Sequence, residues 1–146
     1  MNSHHIRGFS LIELMVAVVI VGILAAVAVP SYRSHVIKGS RAAAQTELMQ
    51  LASVQEKIYL NSSAYACNAI ATAYNGSSTG GLGVSASNDG KYTFTLSACA
   101  TNTYSIKAAP TTGTTQVGNG CLVIQENGLR QWFEGSDNCT GTATAW

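Results

Sequence analysis

Four cysteines and one carboxylate carry most of the chemistry that residue spacing allows in this chain. Cys67, Cys99, Cys121 and Cys139 stand 32, 22 and 18 residues apart, and none belongs to a C-x-x-C pair. That spacing does not suit zinc. All four follow a long apolar segment, and an even number of cysteines in an exported domain points to two disulfides, with three pairings open. The carboxylate is Glu13, at the head of the apolar run. An acid at a bilayer centre costs at least about 2.5 kcal/mol, so one placed here calls for a partner. Catalysis finds no comparable constellation. His4 and His5 precede the apolar segment, and His35 follows it with no Ser or Cys nucleophile paired to it. Glu126, Glu134 and Asp137 read as solvated hairpin and loop acids, because a calcium cage needs six or more oxygen ligands. The expectation is therefore no enzyme, no metal and no cofactor. Asn61, Asn75 and Asn138 open N-x-S/T triplets of a kind that chance supplies in a Ser/Thr-rich chain.

These residues have to be positioned by a chain of 146 residues, 47% hydrophobic and 10% charged, which suffices for one domain and an appended segment. Eight Lys and Arg face seven Asp and Glu, so composition announces no polyelectrolyte partner. Leu14 to Val29 is apolar, and the uncharged run continues to Tyr32. Roughly 20 such residues span a bilayer as a helix. A secretory signal is the competing reading, with Ala26 to Ala28 as a small-x-small cleavage pattern and Val29 as the new start. Two features oppose it: Glu13 cancels the positive charge expected before the apolar core, and a helical pattern resumes after Pro30.

That pattern recurs at Ala44, Leu48, Leu51, Gln55 and Ile58, widened by Ala52 and Tyr59, with Arg41, Glu47, Glu56 and Lys57 assigned to the opposite side. Joined to the apolar segment it predicts one helix from about Phe9 to Leu60, on the order of 75 to 80 Å long. Gly22, Pro30 and Gly39 are its weak points. Asn61 to Gly90, rich in Ser, Ala, Asn and Gly, reads as a long loop. Alternation predicts strands at Lys91 to Ser97 and Thr103 to Ala108, and a second hairpin turning at Asn127 and Gly128 in a type I′ turn. The fold class is α+β: a long N-terminal helix packed on roughly four antiparallel strands.

"RGFSLIELMVAVVIVGILAAVAVPSY", Arg7 to Tyr32, resembles the class III signal of type IV prepilins, because leader glycine, phenylalanine, glutamate and the later proline occur together in register. "RAAAQTELMQLASVQEKIYLNSSAYA" is similar to PilE-type minor pilins; the remainder resembles the family only in plan, and Gly39 departs from the polar residue expected there. The resemblance implies a leader 1–8 cut after Gly8 by a prepilin peptidase, N-methylation of Phe9, a membrane and filament-core half-helix 9–32, and a pilin head 33–146. It implies assembly through Glu13, Gly22 and Pro30, with Glu13 paired to the Phe9 amine of a neighbouring subunit. An α-amine is largely protonated at neutral pH, and the two charges would offset each other's desolvation. The partners implied are other pilin subunits, and the places are the bacterial inner membrane and then the extracellular pilus.

The same resemblance favours Cys121 with Cys139, enclosing the final hairpin, and leaves Cys67 to Cys99; Cys67 with Cys121 is the runner-up. It also implies two other roles beside that of minor pilin. One is a type II secretion pseudopilin. The other is a DNA-uptake pilin of the ComP kind, for which Lys91, Lys107 and Arg130 could align across neighbouring strands. From Arg33 onward seven bases face six acids, a balance that predicts weak nucleic-acid binding.

Overall fold

The structure, a computed structural model, describes residues 9–146. Helix α1 covers Leu11–Ser62. Strands β1 Tyr92–Ala100, β2 Thr103–Pro110, β3 Cys121–Gln125, β4 Arg130–Phe133 and β5 Thr144–Ala145 form one sheet in sequence order, antiparallel throughout. The architecture is thus the expected α+β one, with one strand more than the alternation suggested. β5 has two residues, too few to alternate visibly. The chain divides into a helical unit ending at Val36 and a head, Ile37–Trp146.

Ser10 stands just before α1 and its carbonyl accepts the amides of Glu13 and Leu14, so Glu13 lies in the first turn, where a carboxylate faces the positive end of the helix dipole. Helical geometry continues through Gly22, Pro30 and Gly39.

In the head, α1 buries Ala44, Leu48, Leu51, Gln55 and Ile58, the predicted stripe, and also Ser40. This stripe meets Tyr92, Phe94, Tyr104, Ile106, Ala108, Leu122 and Ile124, the inner positions of β1 to β3, in one core. Gln55 is fully buried without penalty: its Nε2 donates to the Ala66 carbonyl at 2.9 Å and its Oε1 accepts the Ala66 amide at 3.0 Å. The side-chain amide thereby imitates a strand neighbour and anchors the loop after the helix. That loop is tied inward by Ile70 and Leu82.

Two local features differ from expectation. β1 runs three residues past Ser97 because a bulge lies between Leu96 and Ala98. The β3–β4 turn is not type I′, which needs positive φ at both central residues; Asn127 has none, while Gly128 has φ +78°. The Gly128 amide bonds to the Gln125 carbonyl instead, giving a type I turn followed by a left-handed glycine, and Asn127 Oδ1 accepts the Leu129 amide.

Candidate functional site

Gly8 lies outside the described residues. Phe9 is 82% exposed, and from Leu11 to Val29 every large apolar side chain of α1 is more than half exposed. An apolar surface of this extent marks a membrane or protein contact, and the helix has the length and composition to cross a membrane. Gly22 has nothing within 4 Å of the place its Cβ would take, and the same holds for Gly39. Neither glycine is required by packing inside the subunit.

The cysteines pair as Cys67–Cys99 and Cys121–Cys139, with Cα atoms 5.4 and 5.1 Å apart. The bulge has a direct consequence for the first pair. Leu96 opposes Ile106 on the inner face, but beyond the bulge Ala98 opposes Ser105 and Cys99 opposes Tyr104. One extra residue exchanges the faces of everything that follows it. Cys99 is thereby turned inward against the core and can meet Cys67, next to the residue that Gln55 holds.

Lys91, Lys107 and Arg130 are not aligned, contrary to the expectation. Lys91 Nζ lies 2.8 Å from Ser40 Oγ on the helix and 3.8 Å from Asp89 Oδ2. Arg130 opposes Ile124 on the inner face and reaches Met49 Sδ at 3.7 Å, with its guanidinium 5.7 Å from the Trp146 ring centre. Lys107 opposes Thr95 and Val123, hence the outer face. Because sheet faces alternate with period two, Lys107 and Arg130, in adjacent rows of β2 to β4, cannot share a face.

Helix residues assigned to the opposite side also make head contacts. Arg41 stacks 3.8 Å over Trp132 and donates to Asn119 Oδ1 at 3.2 Å. Asn119 in turn bonds Tyr92 and Gln116, and Gln116 donates to the Ile37 carbonyl. Glu47 accepts the Asn88 amide. Glu56 accepts the hydroxyls of Tyr65 and Tyr104, whose rings meet edge to face. Burial, and then the Glu56 carboxylate, push the Tyr65 hydroxyl up to about 12; Tyr104 is raised for the same reasons. Lys57 is exposed and alone of the four makes no such contact among the described residues. A polar residue at the margin of an apolar stripe looks solvated until the sheet and loops arrive beside it.

Two acids read as solvated likewise have partners. Asp137 accepts the amides of Gly118 and Gly120, tying the β2–β3 connection to the segment after β4. Glu126 accepts the Tyr104 amide. Partial desolvation opposes ionisation of Asp89, yet the Ser87 hydroxyl, the Lys91 amide and the Lys91 charge hold its carboxyl below the usual range.

Residues 3–29 match the prokaryotic N-terminal methylation motif, and residues 30–125 match the family described as type IV minor pilin ComP, DNA uptake sequence receptor. The chain belongs to this family of type IV minor pilins. Relatives of this pilin include the type IV major pilin protein PilA of Myxococcus xanthus, 39% identical over 40% of this chain and 27% of the relative. The type IV major fimbrial protein FimA of Dichelobacter nodosus is 38% identical over 38% of the chain and 35% of its own length. The fimbrial protein EcpB of Eikenella corrodens is 56% identical over 22% of the chain and 20% of its own length. Each match thus spans about a third or less of the relative.

Proposed function

We propose that this pilin is a structural subunit of a type IV pilus, with no catalytic step and no cofactor. A prepilin peptidase removes residues 1–8 after Gly8, and Phe9 becomes the methylated N-terminus. Residues 9–32 hold the subunit in the inner membrane and later pack among other subunits in the filament, where Glu13 pairs with a neighbour's Phe9 amine. Gly22 and Pro30 let this half-helix adapt to its neighbours, and residues 33–146 form the displayed head. The observation that carries the proposal is the apolar helix exposed all round, continuous with a methylation motif. Intact mass and N-terminal sequencing of protein from sheared filaments test it: the chain should begin at methylated Phe9. A chain starting at Val29 would refute it.

A second role, that of a DNA-uptake receptor on the same filament, is favoured by the family match over residues 30–125. The bases it can draw on are Arg33, Lys38, Lys57, Lys107 and Arg130, since Arg41 and Lys91 are engaged within the head.

A further inference from the structure

We propose that Arg33 holds the phosphate of an anionic phospholipid in the outer headgroup layer while the subunit waits in the inner membrane, with Tyr32 and His35 at the same depth on other sides of the helix and Glu13 in the opposite layer. This rests on the membrane-held precursor proposed above.

Spacing comes first. Arg33 follows Glu13 by 20 residues on one continuous helix. At about 1.5 Å per residue the two side chains depart from points about 30 Å apart, the thickness of a bilayer's hydrocarbon core. Every residue between them is uncharged. A bilayer that accommodates Leu14 to Tyr32 therefore places one charged residue at each margin. Glu13 then meets water and headgroups before assembly, and its partner is needed only once the helix leaves the lipid.

Chemistry at the outer margin comes second. Tyr32 is 72% exposed, and Arg33 and His35 are exposed too. Among the described residues none of the three makes a side-chain hydrogen bond or ion pair; Ser34 between them caps the Ser31 carbonyl. No acid occurs on the helix from Leu14 to Thr46, so neither base has an acid of its own helix within a turn. Successive residues are turned by about 100°, so Tyr32, Arg33 and His35 fan around the helix as contacts with surrounding lipid require. Tyrosine favours the headgroup level. The planar guanidinium takes a phosphate through two parallel hydrogen bonds. Bases on the translocated side also oppose the usual distribution of charge about a membrane segment, and an anionic headgroup recovers that cost.

The test uses the full chain in vesicles of phosphatidylcholine alone or mixed with phosphatidylglycerol, extracted and read by native mass spectrometry for retained lipid. Wild type should retain phosphatidylglycerol over phosphatidylcholine, and R33Q should lose about fivefold of that preference, the factor one interfacial base contributes. R33K should keep only part of it, because its ammonium lacks the planar fork, and millimolar inorganic phosphate should not displace the lipid. Equal retention of both lipids by an inserted wild-type chain, or displacement by inorganic phosphate, would overturn the headgroup assignment and leave the pilin reading intact. Unchanged preference in R33Q would overturn the proposal, and failed filament entry alongside it would move Arg33 to a subunit interface. A wild-type chain that stays in the aqueous phase with both vesicles would instead overturn the membrane-held precursor.

Discussion

The Arg41 guanidinium lies 3.8 Å over the Trp132 ring and joins the start of the head's helix to β4, 91 residues further along the chain. The same guanidinium bonds Asn119, whose carbonyl accepts Trp132 Nε1 at 2.9 Å. Three elements therefore converge on one base. Arg41→Ala should destabilise the head by about 1 to 2 kcal/mol, because it removes the stacking on Trp132 and one hydrogen bond. Urea denaturation of the head measures this, and Arg41→Lys should recover only part because its ammonium lacks the planar fork.

Gln55 and Ala66 provide a sharper case, because both hydrogen bonds are buried. Gln55→Leu keeps the volume but leaves the Ala66 amide and carbonyl unpaired. The expected cost is about 1 to 3 kcal/mol for each unsatisfied group. Hydrogen exchange should show the Ala66 amide losing its protection first. Unchanged stability would mean that water or a loop shift replaces the clamp.

The raised pKa of Tyr65 predicts how the head responds to alkali. Its ordinary value is 10.0 and the folded value is about 12, so the folded state holds the proton more tightly than the unfolded chain. The resulting stability is complete below pH 10 and is lost as pH rises through 12. Tyr65→Phe should flatten that decline, although Tyr104, also raised, retains part of it. Stability measured between pH 9 and 12 on both proteins decides the point.

The receptor role can be read through salt. Removing a base that neutralises one phosphate lowers the salt slope of DNA binding by about one. Lys107 and Arg130 lie on opposite faces of the sheet, so one duplex bound to one face meets one of them. Comparing Lys107→Ala with Arg130→Ala in a head fragment beginning at Arg33, the slope should fall for one and not for both. No detectable binding by the fragment would leave the structural role without the receptor role.

Much of the helix and of the apolar positions on the first three strands was legible in the sequence, because burial of a helix face repeats at steps of three and four and burial of a sheet face at steps of two. Ala44, Leu48, Leu51, Gln55 and Ile58 follow the first rule; Tyr92, Phe94, Tyr104 and Ile106 follow the second. The Arg7 to Tyr32 segment was legible for a related reason. From Leu11 onward the carboxylate and the apolar run lie along one helix, so their pattern is visible without tertiary contacts.

Facing and partnership were decided only by the tertiary structure. A single bulge residue between Leu96 and Ala98 turns Cys99 inward, and no alternation in the sequence announces it. Lys107 and Arg130 separate because ladder register assigns their faces, and Lys91 leaves the sheet for Ser40 because a flexible stem reaches across to the helix. Arg41, Glu56 and Asp137 looked solvated because a polar side chain carries no periodic mark of its partner. Their partners Trp132, Tyr104 and Gly120 lie between 17 and 91 residues away, and only the folded chain brings them within hydrogen-bonding or stacking distance.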